Sequence, residues 1–316
     1  MIRKKTSKIT DQRKKKRRYS IVDIQLYTLC LIPILLVIVF NYLPMIGIII
    51  AFKKYNYGLG IFGSKWVGFE NFELFFKSNE FTRILWNTLS MNTLFIVFGM
   101  IAAVLTAILL YELRSRIGTK IFQTVLITPY FLSWVIVAYM VFAVLNPSYG
   151  YLNMILNKFG IQSVDWYTTP KAWPVILTIV SVWKGVGMDS VIYYAAMMGM
   201  DASVFEAAEV DGANKFQKTF YIVLPTLVPI ITIMTILKIG GIFRADFGLF
   251  YQVTRNVGNL YSTTDVIDTY IFRTMREVGN MGISSAVGLL QSVVGFVLVI
   301  ATNAASKKID SDLGLF

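Results

Sequence analysis

The residues able to do chemistry in this chain are few, and several kinds are missing altogether. There is no histidine, which excludes imidazole acid–base chemistry, serine–histidine triads and histidine metal sites. Cys30 is the only cysteine, so neither an intrachain disulfide nor a cysteine-ligated zinc can form. No G-x-x-x-x-G-K-[ST] phosphate loop occurs, so any ATP used must be held by another chain. What remains is ionic and aromatic. Lys184, Asp189 and Lys238 interrupt long apolar stretches, where a charge is costly enough to be a functional candidate by default. Trp183, Ser190, Tyr193 and Tyr194 accompany the first two and set ring faces beside polar groups. A second group, Asp201, Glu206, Glu209 and Asp211, concentrates four acids in one short polar stretch.

These groups must be positioned by membrane-spanning helices. The 316 residues are 56% hydrophobic and only 15% charged, against about a quarter charged in soluble domains. About 20 apolar residues cross a bilayer, and six such stretches can be read, at 26–52, 87–111, 121–145, 172–198, 221–243 and 283–305. The net charge of +12 sits mainly in the tail, since Met1 to Arg18 holds ten bases and one acid. The run Arg13 to Arg18 precedes an apolar segment and reads as an orientation anchor on the cytoplasmic side, not as a nucleic-acid patch. The stretch from Leu26 to Phe52 is too long for a cleaved signal, and Leu29 before Cys30 breaks a lipobox. Six spans with the tail inside place both termini in the cytoplasm. The organisation expected is a basic tail over 1–22, a first span with an outer segment over 23–82, a core over 83–306 and a short tail over 307–316.

The connections differ in kind. The first inner loop, Glu112 to Lys120, carries Arg114, Arg116 and Lys120 against one acid, as the positive-inside rule requires. The second, Asp201 to Lys218, breaks that rule with four acids against two lysines. On the outer side, Phe69, Phe72, Phe75 and Phe76 fall on one helical stripe and predict an interfacial helix on the outer leaflet. Trp166, Tyr167, Tyr251, Tyr261 and Tyr270 occupy the other outer connections, as interfacial belt residues do.

The acidic loop has internal order. Asp201 suits a helix N-cap, Gly212 supplies the left-handed residue that ends a helix, and a second short helix can start near Asn214. Ala207 and Ala208 leave bare backbone between charged groups, where another protein can approach closely. Leu224-Pro225 marks the start of the next span, where a missing N–H does no harm. Glu206-Ala207-Ala208, three residues, Gly212, nine residues, then Ile222-x-Leu224-Pro225 resembles the cytoplasmic loop signature of the permease subunits of ATP-binding-cassette importers, and every fixed position is filled. Tyr42 to Lys53, Trp66 to Phe72, Trp183-Lys184, Thr263 to Tyr270 and Gly314-Leu315-Phe316 resemble the carbohydrate-importer branch that handles polysaccharides and complex oligosaccharides.

The resemblance implies an all-α integral membrane protein of the type I importer permease fold, with six transmembrane helices and a coupling-helix loop at 201–218. It implies a bacterial cell-membrane location, a homologous second permease, two ATPase subunits that hold ATP and Mg, an extracellular solute-binding lipoprotein and a carbohydrate substrate. The chain itself would carry no cofactor, metal or catalytic residue and bind no nucleic acid. Carried over, Glu206 makes a polar contact with the ATPase, Ala207 and Ala208 pack closely, Gly212 gives the bend, and Asp211, Leu224 and Pro225 complete the coupling set. Trp183, Lys184, Tyr193 and Tyr194 are the candidate substrate path.

Two lysines stay open at this level. Lys184 either meets substrate or pairs with the partner permease or with backbone carbonyls; Lys238 either lines the outer mouth or snorkels to headgroups. Lys184 and Asp189 are five residues apart, well over 100° around a helix, which argues against an intrahelical pair. A secondary transporter would need inverted repeats and coupling carboxylates that are not apparent, a membrane enzyme would need a nucleophile–base constellation, and a simple channel would not account for a loop built to dock on an ATPase.

Overall fold

The computed structural model describes residues 21–113 and 115–309, so the basic run Arg13 to Arg18 and the end Gly314 to Phe316 lie outside the described residues. The described residues fall into two compact units that divide between Ile48 and Ile49. The first unit holds α1 (Ile21–Val37), extended by a π turn at Ile38–Tyr42 and a tighter 3-10 stretch, Leu43–Phe52, that runs into the second unit. Pro44 has no N–H to give, and its ring crowds the carbonyl four residues back, at Phe40. A wider turn relieves that clash. Leu29, Ile32 and Phe40 are exposed, as on a lipid-facing span.

The second unit runs through β1 (Lys53–Lys54), α2 (Gly60–Gly63), β2 (Lys65–Trp66), α3 (Glu70–Phe76), α4 (Phe81–Tyr111), α5 (Arg116–Ile127), α6 (Trp134–Leu145), α7 (Tyr151–Lys158), α8 (Trp173–Met198), α9 (Ala202–Val210), α10 (Lys215–Lys218), α11 (Leu224–Gly240), α12 (Tyr261–Thr264), α13 (Ile267–Arg276) and α14 (Met281–Ile309). The two strands pair antiparallel, Lys53 against Trp66. The aromatic stripe of α3 does not face one way. Phe75 is buried against Phe81 and Tyr270, and Phe72 packs on Phe52, while Phe69 and Phe76 stay exposed. Half of the expected lipid-facing stripe therefore serves as packing.

Among the described residues five helices are long and apolar enough to cross a membrane; the stretch read as a third straight span is instead two helices, Arg116–Phe131 and Trp134–Leu145, bent by 99°. The break has local causes. Pro129 opens a 3-10 turn, Leu132 is extended at φ −70°, ψ 136°, and Ser133 starts a new helix by accepting the N–H of Ile136 at 3.4 Å. Two glycines let neighbours close on this elbow. A Cβ at Gly187 of α8 would lie 2.0 Å from the Leu126 carbonyl oxygen, and one at Gly248 would lie 2.0 Å from Cδ1 of Trp134.

The fifth span also starts earlier than expected. Its α-helical part opens at Leu224-Pro225, but the backbone is already helical from Lys215, through a π turn at Thr219–Val223. The arrangement repeats that before Pro44, since the ring of Pro225 crowds the Tyr221 carbonyl. One core cluster joins Ala103 and Ala107 of α4 to Tyr193 and Met197 of α8 and Leu227 of α11. Another gathers Trp173, Leu177, Leu249, Phe250 and Val266 under the connections between α6 and α8 and between α11 and α13. Trp173 is wholly buried, and truncating such a residue typically costs about 3–5 kcal/mol.

Candidate functional site

Two constellations stand out, one within the spans and one on the polar loop. The first is a cleft enclosing about 650 Å³ of empty space between the central stretches of α4 and α8 and the far end of α11. Asn92, Phe95, Ile96 and Gly99 share one face of α4, and Ser181, Val182, Gly185, Val186 and Asp189 share one face of α8. Opposite stand Lys238, Gly241, Ile242 and Arg244. Lys238 Nζ donates to Asp189 Oδ2 at 2.5 Å, each side chain being about one third exposed (35% and 34%). Lys238 thus neither snorkels nor stands alone, because a carboxylate on the adjacent helix offers it a partner at membrane depth.

The roof of the cleft is fixed by side-chain amides. Asn92 Nδ2 donates to the carbonyls of Ile242 and Arg244 at 2.7 and 3.2 Å, covering acceptors left open where α11 ends. Next to this, Asp268 Oδ2 accepts from the Ala245 N–H at 2.7 Å and from Gln291 Nε2 at 3.0 Å. Burial pushes the Asp268 carboxyl above the ordinary aspartate range, against the pull of those hydrogen bonds. The neighbouring Asp265 side chain is fully buried and takes both guanidinium nitrogens of Arg273, at 2.9 and 2.6 Å, with Arg83 at 3.3 Å. The run Thr263 to Tyr270 is therefore a brace tying α4, α13 and α14 together.

The aromatic and basic residues of α8 expected to share one path are separated. Trp183 faces an apolar cleft with Val137, Met140, Val141 and Val144 of α6. Tyr193 is 3% exposed in the core beside α4, and Tyr194 packs against the same cluster. Lys184 points to the elbow. Its Nζ donates to the carbonyls of Tyr130 and Pro129 at 2.6 and 3.3 Å and lies 5.1 Å from the Trp134 ring centroid. A cation at the C-terminal end of a broken helix satisfies carbonyls that the break has orphaned. Of the two openings left for Lys184, this is the backbone one. The expectation that Lys184 and Asp189 do not pair within α8 holds, since each has a partner elsewhere.

The second constellation is the acidic loop. Asp201 Oδ1 accepts the Ser203 N–H at 2.9 Å, and hydrogen bonds to Ser203, its backbone first, hold the carboxyl below the usual range. At the far end of α9, Gly212 has φ +79°, the Ala213 N–H donates to Ala208 and the Gly212 N–H to Glu209, the paired bonds of a Schellman cap. Asn214 and Gln217 form a reciprocal capping box that starts α10. Phe205 packs on Tyr111 with centroids 6.1 Å apart, and Lys215 reaches Glu112 at 3.2 Å, so the hairpin rests on the end of α4. Lys218 holds Glu209 at 2.5 Å. Glu206, Ala207 and Asp211 are exposed, and so are the large apolar side chains Val210 (88%), Phe216 (78%) and Tyr221 (79%). An ordered hairpin with an acid at its centre and bare apolar side chains at its rim is a surface shaped for a protein partner.

A family description of binding-protein-dependent transport system inner membrane components matches residues 95–311. The chain belongs to that family. This permease is 34% identical to protein LplB of Bacillus subtilis over 93% of its own length and 92% of that protein. It is 32% identical to the polygalacturonan/rhamnogalacturonan transport system permease protein YteP of the same organism, over 94% and 93% of the two chains. Among solved structures it superposes on a chain of a bacterial ABC transporter involved in import of the acidic polysaccharide alginate, with a TM-score of 0.83 and 34% identity, covering 92% of this chain and 97% of that one. It is a multi-pass membrane protein with the type I importer permease fold, the non-catalytic membrane subunit of its transporter. The expected permease family and its helical membrane-spanning fold are borne out at this level. Nothing local in the chain signals the pairing of Asp189 with Lys238, nor the placing of Asn92 and Arg244 at the same cleft.

Proposed function

We propose that this permease imports a carbohydrate, an oligosaccharide handed over by an extracellular binding protein, and that the cleft around Asp189, Lys238, Asn92 and Arg244 is its contribution to the path. A cleft lined by amide, carboxylate and cations beside Phe95 offers hydroxyl partners and a ring face at mid-depth. The polysaccharide cargoes named for YteP and for the alginate transporter favour the carbohydrate class.

The observation that carries the coupling half of the reading is the ordered, exposed hairpin of α9 and α10. In this reading both termini are cytoplasmic and the hairpin sits in a groove of a separate ATPase that holds ATP and Mg. Glu206 meets a basic residue there, Ala207 and Ala208 allow close approach, and Gly212 sets the angle between the helices. Asp211 caps α9, and Leu224 with Pro225 passes the motion into α11. A homologous second permease, two ATPase copies and a binding lipoprotein complete the complex, with residues 1–22 as a basic anchor and 83–306 as the transport core.

The test is ATPase activity of the reconstituted complex with and without sugar-loaded binding protein. Truncating one partner of a partly buried ionic contact costs about 2–5 kcal/mol, so Glu206→Ala should lose most of the substrate stimulation. Gly212→Val should do the same by straining a left-handed position. Both should leave sugar capture by the binding protein intact. Wild-type stimulation in both variants would refute the docking role, and the sugar retained by the purified binding protein identifies the cargo.

A further inference from the structure

A second cleft, sharing no residue with the cleft around Asp189, lies between α6 and the turn after Leu249–Val253. It encloses about 610 Å³ of empty space. One wall is a single face of α6 that includes Tyr139 and Phe142, with Tyr139 69% exposed. The other wall carries Tyr251, Gln252, Arg255 and Asn256. Tyr251 is held rigid, stacked on Phe247 at 4.9 Å and 18° and set edge-on to Phe272 at 5.0 Å.

The backbone here is strained. Arg255 and Asn256 have φ values of 55° and 50°, the only positive-φ residues other than glycine among the described residues. Two successive such residues, one of them a long arginine, lie in a region that L side chains seldom adopt, and strain of this kind gathers where a side chain must be aimed. The Asn256 side chain is consumed in holding the turn, accepting from the Tyr261 hydroxyl at 2.9 Å and donating to Glu277 at 3.2 Å. Arg255 is what the turn presents. Its guanidinium lies 4.0 Å from the Phe142 centroid, is exposed, and makes no ion pair among the described residues.

We propose that this cleft is a separate saccharide subsite on the outer side of the permease that takes a uronic-acid unit, with Arg255 on the carboxylate, Gln252 on hydroxyls and Tyr139 against the sugar ring. The inference rests on the carbohydrate reading above and adds the charge of the cargo and a second place where it is held. A planar guanidinium with free donors matches a carboxylate bidentately. Being already stacked on Phe142, it loses little further freedom on binding. The exposed Tyr139 ring and a neutral amide supply what the rest of a pyranose needs.

The test uses the assembled importer in phosphatidylcholine nanodiscs without ATP. The probes are trigalacturonate carrying a diazirine at its reducing end and the neutral galactotriose carrying the same group. Peptide mass spectrometry should find the acidic probe on α6 or on the stretch from Tyr251 to Asn256. Arg255→Gln should weaken labelling there by the acidic probe about tenfold or more, the worth of a charge-assisted contact. Labelling by the neutral probe should stay within about twofold, Arg255→Lys should fall between, and Tyr139→Ala should weaken both. Complex assembly and melting temperature serve as folding controls, and the lysine variant keeps the test open should the glutamine variant not assemble. Labelling confined to other segments, equal labelling of Arg255→Gln and wild type, parallel loss of both probes in Arg255→Gln, or abolition of the label in phosphatidylglycerol nanodiscs, which would assign Arg255 to a lipid headgroup, each overturns the subsite. The label needs no turnover, so an importer that takes up no saccharide at all would instead refute the proposed function.

Discussion

The ion pair between Asp189 and Lys238 can be taken apart in a way that separates holding the fold from moving the substrate. Removing one partner of a fully buried pair typically costs about 3–5 kcal/mol, because the other is left charged and alone. Both groups here remain about one third exposed at 35% and 34%, which reduces the expected cost to about 1–3 kcal/mol for Asp189→Asn or Lys238→Met. At about 2–4 °C per kcal/mol, each single variant should melt about 2–12 °C below wild type. The double variant has no orphaned charge and should recover most of that loss. Thermal unfolding of the purified complex in detergent, run as a double-mutant cycle, gives the coupling directly. Uptake should not recover with stability, since the double variant has lost both charges of the pair that lines the cleft. A double variant as unstable as the sum of the singles would refute the pairing, and one that transports normally would remove this pair from the path.

Other contacts carry expected outcomes of their own. Lys184→Met should lower the melting temperature by several degrees by uncovering the Tyr130 and Pro129 carbonyls, a loss of about 1.5–3 kcal/mol per charged hydrogen bond before solvent compensation; an unchanged melting temperature with altered sugar affinity would restore Lys184 to the substrate path. In a background lacking Cys30, a cysteine at the exposed Asn157 should react with an impermeant thiol reagent from outside the cell, and labelling from the inside alone would reverse the topology. Asp268 has a carboxyl pKa raised by burial, so its stabilising contribution is complete below the ordinary value of 3.8 and is lost as pH rises through the raised folded value. Wild type should therefore gain melting temperature relative to Asp268→Asn as the pH falls from neutral, and parallel pH profiles of the two would contradict that burial.

What could be read in the residues depended on how local the cause was. The hairpin of α9 and α10 was legible because Asp201, Gly212 and Asn214 act on bonds only a few residues away, and each does so in the structure. Apolar runs located the spans, yet hydropathy has no term for direction. The run from Ile121 to Leu145 is predominantly apolar although it turns by 99°, and only Pro129 and Ser133 signalled the break. The aromatic grouping on α8 failed for a different reason. A 3.6-residue repeat tells which residues share a face but not what that face meets, and Trp183, Lys184 and Tyr193 point at three different neighbours. Asp189 and Lys238 are 49 positions apart, a partnership that only tertiary contact could disclose.

The π turn at Thr219–Val223 has a consequence for angular phase along the helix it interrupts. Such a turn takes in one more residue than an α-turn does, so the helix beyond it is set back by about 100° from the phase that counting would assign. The helical run from Lys215 to Gly240 therefore has two frames of reference, one for the end that carries Lys215 and Lys218 and one for the end that carries Lys238. Deleting a single residue from the turn would leave Lys238 in line with Asp189 only if the turn tightened to an ordinary α-turn, whereas an α-turn forming over the existing sequence would swing Lys238 about 100° off its partner. Pro225 just beyond the turn, by crowding the Tyr221 carbonyl, favours the wider turn and with it the phase in which the ion pair closes.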